Sequence, residues 1–450
     1  MEKKTIRNMT EGSPLRHILL FALPLLAGSF LQQFYNTVDS WVVGNYVSDA
    51  ALAAVGVGFP VMFLFTSFFT GVSLGGTVVI AQAIGAGKPE RVRAAVDTLY
   101  AAFIRSVVPL TAITILILRP LLRLLRVDES AMAETHTYLL IVCAGLCGTI
   151  GYNLNAGILN GLGNSHTTLL FLAVSTVVNI ILDLVLVLAC SMGVAGVALG
   201  TAVAQGISWL FGVFYINRRY PDVAIRVFTA PFDRALFMQI IKIGLPTGLQ
   251  LSVMSVGSMF VLSKINSFGK AYTAGFNVGN KLDMIAFLPV QSISSACTTF
   301  VGQNIGAARY DRARTGVRES VLLGVAWTLL SSALLVVFSE PLSAFFTPEG
   351  DVITASCLYL RGVMPPYFLF TILFLLNAAM RSAGDSIFPM VSTIASVVFI
   401  RAPVLYYIAD RFGPEYMYWS FGIGWLIAGA ATVWYYLAGK WKGKSLAGKL

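Results

Sequence analysis

Two aspartates, Asp39 and Asp183, stand inside long apolar runs of this 450-residue chain. An Asp at the centre of a membrane-spanning helix disfavours insertion by about 2.5–3.5 kcal/mol, so such a residue is expected to face the protein interior and to serve a function there. Their neighbours are polar in a helical pattern. Gln32, Asn36 and Asp39 follow at i, i+4 and i+7 and share one stripe, while Asn179 and Asp183, at i and i+4, share another. At about 1.5 Å per residue, Asp183 lies roughly 24 Å along its helix from Thr167, and Thr201 on the next helix reaches a similar level. A carboxyl group set among hydrogen-bonding amides and shut away from water can take up a proton from one side of a membrane and release it to the other. A lone Asn or Thr in such a place reads first as helix glue; two acids in one half of the chain read as a working site. Pro24 lies below the stripe in the same helix, where a missing backbone hydrogen bond predicts a kink and a candidate hinge.

The elements that must position these groups are membrane helices. The chain is 57% hydrophobic and 12% charged, against about 25% charged in a soluble domain. Apolar runs give twelve expected spans, at 15–43, 52–80, 94–118, 134–158, 167–189, 194–216, 236–263, 274–300, 319–338, 355–378, 387–409 and 416–438. Of the 31 Lys and Arg residues, 21 fall in or beside the termini and the even-numbered gaps and six in the odd-numbered gaps, which predicts that both termini are cytoplasmic; the expected location is the plasma membrane. The net charge of +10 is thereby used for orientation, and nucleic acid is not expected as a partner. No Walker sequence, metal-ligand spacing or catalytic constellation appears, so neither an enzyme nor a cofactor is expected. Cys143 and Cys147 read as small core residues.

The chain also repeats itself. At a shift of 221, residues 82–96 overlay 303–317 with seven identities, among them Gln82/Gln303, Gly85/Gly306 and Arg91/Arg312; Leu23-Pro24 falls on Leu245-Pro246 at 222. Six spans per half place both halves in the membrane in the same sense, a parallel duplication of the kind that sets a binding cavity between two bundles. The expected domains are an N-terminal segment 1–13, a bundle 14–216, a cytoplasmic connection 217–235, a second bundle 236–438 and a basic tail 439–450. In the second half, Asp283 and Arg401 are ionisable residues inside spans, and Met254, Met259, Phe260 and Met284 offer soft or aromatic surfaces. Met254, Met284, Asp283 and Arg401 are the candidate substrate-cavity residues.

These features together resemble the multidrug and toxic compound extrusion (MATE) family. The resemblance rests on the Leu-Pro of both halves, Val38-Asp39, the two Gln-x-Ile-Gly-Ala turns, Gly161-Leu162-Gly163-Asn164-Ser165, Asn179 to Asp183, and Gly193 to Ala198. It implies an all-α integral membrane protein with twelve transmembrane helices in two pseudo-symmetric six-helix bundles, V-shaped, working as a monomer by alternating access. The implied activity is antiport of H⁺ or Na⁺ against drugs or organic cations. The implied cation-coupling set is Gln32, Asp39, Tyr138, Asn155, Asn179, Asp183 and Thr201, to which the stripe on the first helix adds Asn36, with Na⁺ an alternative ligand of Asp39, Asp183 and Asn179. Acidic residues that sodium-coupled members carry in the seventh and tenth helices are absent from 236–263 and 355–378. A lipid-linked precursor flippase of the same superfamily is the rival reading; it would want a strongly cationic cavity, and the candidate cations are few and scattered.

Overall fold

The computed structural model describes residues 7–124 and 129–442; residues 443–450 of the expected tail and the first six of the N-terminal segment lie outside it. Regular structure among the described residues is helical throughout. The order is α1 (Pro14–Tyr46), α2 (Asp49–Gly85), α3 (Pro89–Leu124), α4 (Glu129–Ala144), α5 (Leu146–Gly161), α6 (Ser165–Leu184), α7 (Gly193–Arg219), α8 (Arg234–Asn266), α9 (Lys270–Gly306), α10 (Tyr310–Val337), α11 (Ser339–Ala344), α12 (Gly350–Val363), α13 (Tyr367–Ser382), α14 (Ile387–Ile394), α15 (Ala402–Phe412) and α16 (Trp419–Leu437). A π-helical stretch, Val185–Ala189, prolongs α6, and another, Ala395–Arg401, joins α14 to α15.

Among the described residues, ten helices or helix pairs in line are long and apolar enough to cross a membrane, and the bent pairs α4–α5 and α12–α13, each taken as one span, bring the number to the expected twelve. The bends measure 50° and 56°. In the second pair, Pro365 and Pro366 remove two backbone donors in succession, so the helix cannot run on. The first pair breaks at Gly145, the same place in the repeat. Several helices exceed the roughly 20 residues a bilayer requires; α2 and α9 are each 37 residues long.

The duplication is preserved residue by residue. Both ends of α9 are displaced by 221 positions from those of α2. Each helix closes on its Gln-x-Ile-Gly-Ala turn in the same way: Ala86 N donates to Gln82 O at 2.9 Å and Ala307 N to Gln303 O at 3.0 Å.

The chain forms two compact units. One holds residues 7–8 and Leu23–Gly248, the other Met9–Ala22 and residues 249–442. The units therefore part inside α1 and α8, beside Pro24 and Pro246, rather than in the 217–235 connection. That connection packs on α3 of the first unit, with Arg226 Nη2 3.3 Å from Asp97 Oδ2 and Asp233 N donating to Thr98 Oγ1 at 3.3 Å. Both helices run unbroken through their prolines.

Each exchanged segment has its own physical hold. In the second unit, Met9 is buried; its N–H donates to Gln303 Oε1 at 2.8 Å and its carbonyl accepts from Asn304 Nδ2 at 3.2 Å. Arg309 Nη1 donates to Thr10 O at 2.7 Å, and Arg312 donates to the carbonyls of Glu11 at 2.8 Å and Gly12 at 2.6 Å. In the first unit, the start of α8 lies backbone to backbone on α2. A Cβ at Gly244 would stand 2.7 Å from Val72 Cα, and one at Gly71 would fall on Gly244 O. Small residues at a membrane helix crossing allow this approach and the van der Waals contact that comes with it.

Candidate functional site

The acids expected to work together do meet. Asp39 projects from α1 and Asp183 from α6, and their carboxyl groups lie within hydrogen-bonding reach of one another. Both are shut away, at 7% and 0% exposure. Two carboxylate oxygens cannot sit against each other with charge on both, because like charges at that range repel strongly in a poor dielectric. The arrangement holds when one proton, or one small cation, stands between them.

Asn179, one turn before Asp183, points its Nδ2 at Asp183 Oδ1 (3.5 Å) and at Thr201 Oγ1 on α7 (3.4 Å). Tyr138, on α4, faces both acids. Three oxygens here have no hydrogen-bond partner: Asp39 Oδ1, Asp183 Oδ2 and Asn179 Oδ1. A buried oxygen without a donor is unfavourable by about 1–3 kcal/mol, so the cluster is short of donors or of a cation that would engage these oxygens. Val42, Val43, Ala51, Ala54, Val187, Val194 and Val197 form an apolar cluster at the same ends of α1, α2, the π-helical stretch and α7, with Val38 and Tyr138 packed against it. That hydrocarbon keeps water from the carboxyls and strengthens every charge interaction among them.

Two contributors escaped the sequence reading. Tyr35 stands one turn before Asp39, faces it, and is hydrogen-bonded with Gln32. The i, i+4 spacing was the available signal, obscured because a Tyr in an apolar helix usually marks an interface. Gly200 is the other: a Cβ there would collide with Asp183 Oδ1. Replacing Gly200 by Val should therefore displace the Asp183 carboxyl and strongly reduce transport, whereas Gly206→Ala, on the same helix with nothing within 4 Å of its Cβ, should leave transport at the parental level. Initial rates of dye export, normalised to protein in the membrane, check both.

The remaining expected residues are arranged differently. Gln32 is exposed and reaches the acids only by way of Tyr35, and Asn36 makes no hydrogen bond to either acid. Asn155, fully buried on α5, belongs to another network: it accepts from Tyr100 OH and donates through Nδ2 to Trp209 O at 3.0 Å. An open apolar groove between α1 and α6, lined by Phe30, Phe34 and Leu169 among others, contains none of the expected site residues. In the second unit, Met254 and Met284 are half-buried, Met254 against the apolar core, and Met259 and Phe260 are exposed. Asp283 accepts from Tyr359 OH at 3.0 Å and also bonds Tyr367. Arg401 lies over the Phe421 ring, 4.7 Å from its centroid. No group of three or more His, Cys, Asp or Glu residues able to hold a metal ion occurs among the described residues.

Known proteins share this plan. The family model MatE matches twice, over residues 24–185 and 246–407, two copies separated by the repeat offset. The probable multidrug resistance protein YpnP of Bacillus subtilis is 29% identical over 98% of each chain, and YoeA of the same organism, likewise a probable multidrug resistance protein, is 28% identical over 90% of this chain and 89% of its own. Among solved structures, the outward-facing conformation of a MATE family transporter of the MOP superfamily superposes with a TM-score of 0.90 at 21% identity, covering 96% of this chain and 97% of the other. With two six-span halves, a duplicated family match spanning most of both, and an all-helical fold shared with solved members, this chain belongs to the MATE family of membrane transporters.

Proposed function

We propose that this protein exports cationic or amphipathic organic compounds across the plasma membrane by alternating access, in exchange for protons taken up by the Asp39–Asp183 pair. The single observation behind this reading is the close approach of two buried carboxyl groups that one proton can hold together. Protonation from outside joins α1 to α6; loss of the proton inside leaves two like charges that push the helices apart, and Pro24 gives α1 a place to bend. Binding of a cationic compound and binding of the proton favour opposite charge states, which couples the two fluxes. The names of the relatives, multidrug resistance proteins, agree with a broad range of small organic substrates. The two bundles, read from the sequence as 14–216 and 236–438 but with the ends of α1 and α8 exchanged between them, are the proposed moving parts; the termini are cytoplasmic, and the protein works as a monomer.

Sodium is the second reading, supported by the three unpartnered oxygens of Asp39, Asp183 and Asn179, a donor set suited to a hard cation. Purified protein in liposomes decides between them. Dye transport should be driven by an imposed pH gradient at zero sodium and should be indifferent to a sodium gradient at constant pH. The reverse pattern would replace the proton by Na⁺, and transport under neither gradient would overturn cation-coupled export.

A further inference from the structure

The repeat brings a second ionisable centre into view. Tyr138, which faces the two acids of the first unit, has Tyr359 as its counterpart 221 residues on. The acids themselves have no counterparts, because Val261 and Val404 occupy the positions equivalent to Asp39 and Asp183. In their place Tyr359 stands between an acid and a base. Its hydroxyl donates to Asp283 Oδ2 at 3.0 Å, and the Arg401 guanidinium lies close enough to act on it.

The two charges do not satisfy each other. Arg401 is 9% exposed and no carboxylate stands within ion-pair distance of it among the described residues. Its Nε lacks a hydrogen-bond partner, as do Asp283 Oδ1 and the hydroxyl of Tyr418, whose ring packs 5.2 Å from that of Tyr359. Two glycines flank the side chain: a Cβ at Gly257 would collide with Val397 Cγ1 and stand 3.0 Å from Arg401 Nη2, and one at Gly424 would stand 3.4 Å from Arg401 Cβ. A buried, unpaired cation is strongly unfavourable on its own. Here three unpartnered polar atoms, Arg401 Nε, the Tyr418 hydroxyl and Asp283 Oδ1, the last on a carboxyl that two tyrosines already engage, surround a floor of aromatic rings, Tyr359 and Phe421 among them.

We propose that Asp283 and Arg401 form a binding site for zwitterionic compounds in the second unit, Asp283 receiving the cationic group and Arg401 the carboxylate. This rests on the reading of the chain as an exporter and deepens it. The first unit's pair of like acids suits exchange of a proton or cation. The second unit's opposite charges, held apart by Tyr359, match a molecule that carries both signs. The guanidinium fork suits a carboxylate, and the rings suit a flat delocalised cation.

Rhodamine B, a zwitterion, and rhodamine 6G, whose carboxyl is an ester, form a matched pair of probes. Dye binding to the purified full-length protein is read by fluorescence anisotropy. Arg401→Gln should weaken rhodamine B by about tenfold or more, the loss expected for a charge-assisted bond, and leave rhodamine 6G unchanged. Asp283→Asn should weaken both dyes, since both carry the cation. Arg401→Lys, which keeps the charge but not the fork, should fall between parent and Gln for rhodamine B alone, and it serves as the readout if the Gln variant does not accumulate. Equal losses for both dyes in the Arg401 variants, or no loss in either, would overturn the proposal. So would a parent protein that binds and exports rhodamine 6G but not rhodamine B, with the export reading left standing. A parent that neither binds nor exports either dye sinks both.

Discussion

Asp183→Asn, and separately Asp39→Asn, should reduce gradient-driven dye export to the level of membranes lacking the protein, while protein accumulates normally. Asn keeps the volume and hydrogen-bonding capacity of Asp but cannot exchange a proton. In either variant the remaining acid faces an amide that donates to it permanently, so the pair no longer alternates between joined and repelling states. Asp183 is the stronger test because it is fully buried and held by Asn179. The double variant should be no worse than either single one, as for groups that act as a unit. Export rates in proteoliposomes, with dye binding as the control for folding, check the series. Parental rates in both single variants would remove the pair from the mechanism.

The largest effect on the fold is expected at Gly244. A side chain there meets the α2 backbone 2.7 Å away at Val72 Cα, and backbone cannot rotate aside as a side chain can. Overpacking a core is unfavourable by typically about 1–3 kcal/mol even when flexible side chains can yield. Gly244→Leu should therefore separate α8 from α2, with little protein reaching the membrane and early thermal aggregation of what does. Gly71→Leu should do the same from the opposite helix, and the two losses should not add, since either alone breaks the one contact. Fluorescence-detected size exclusion of the solubilised protein reads the outcome. A monodisperse, thermally unchanged Gly244→Leu protein would show that the crossing is looser than its geometry.

Much of this arrangement was legible in the residues. The twelve spans were, because an apolar run of membrane length has few alternatives once water is excluded. The duplication was, because the turn closing α2 and α9 needs the same Gln, Gly and Ala in both halves. The meeting of Asp39 with Asp183 followed from the cost of leaving either in lipid. The two bends were not read, since 134–158 and 355–378 pass as single spans; Pro365-Pro366 carried a signal for the second, whereas Gly145 gave none for the first, since a lone glycine is common in membrane helices. Asn155 shows the limit of reading polarity alone: a buried amide needs partners, and it found Tyr100 and the Trp209 carbonyl. Which atoms satisfy a polar group is a tertiary fact that spacing along one helix does not contain. The division of the two units was hidden for a similar reason, since it follows contacts made by glycines and backbone carbonyls, and not the polar connection that composition marks.

The exchange of helix ends has a consequence for how the protein is made. Residues Met9–Ala22 are made long before their partners: the turn that clasps them, with Gln303, Asn304, Arg309 and Arg312, is synthesised some three hundred residues later. The first unit, for its part, is not finished until Gly248 has been translated. Neither half of the gene product can complete itself from its own residues, so maturation in the bilayer ends with a late joining step, and a truncated chain should be recognised and degraded rather than persist as a half-transporter.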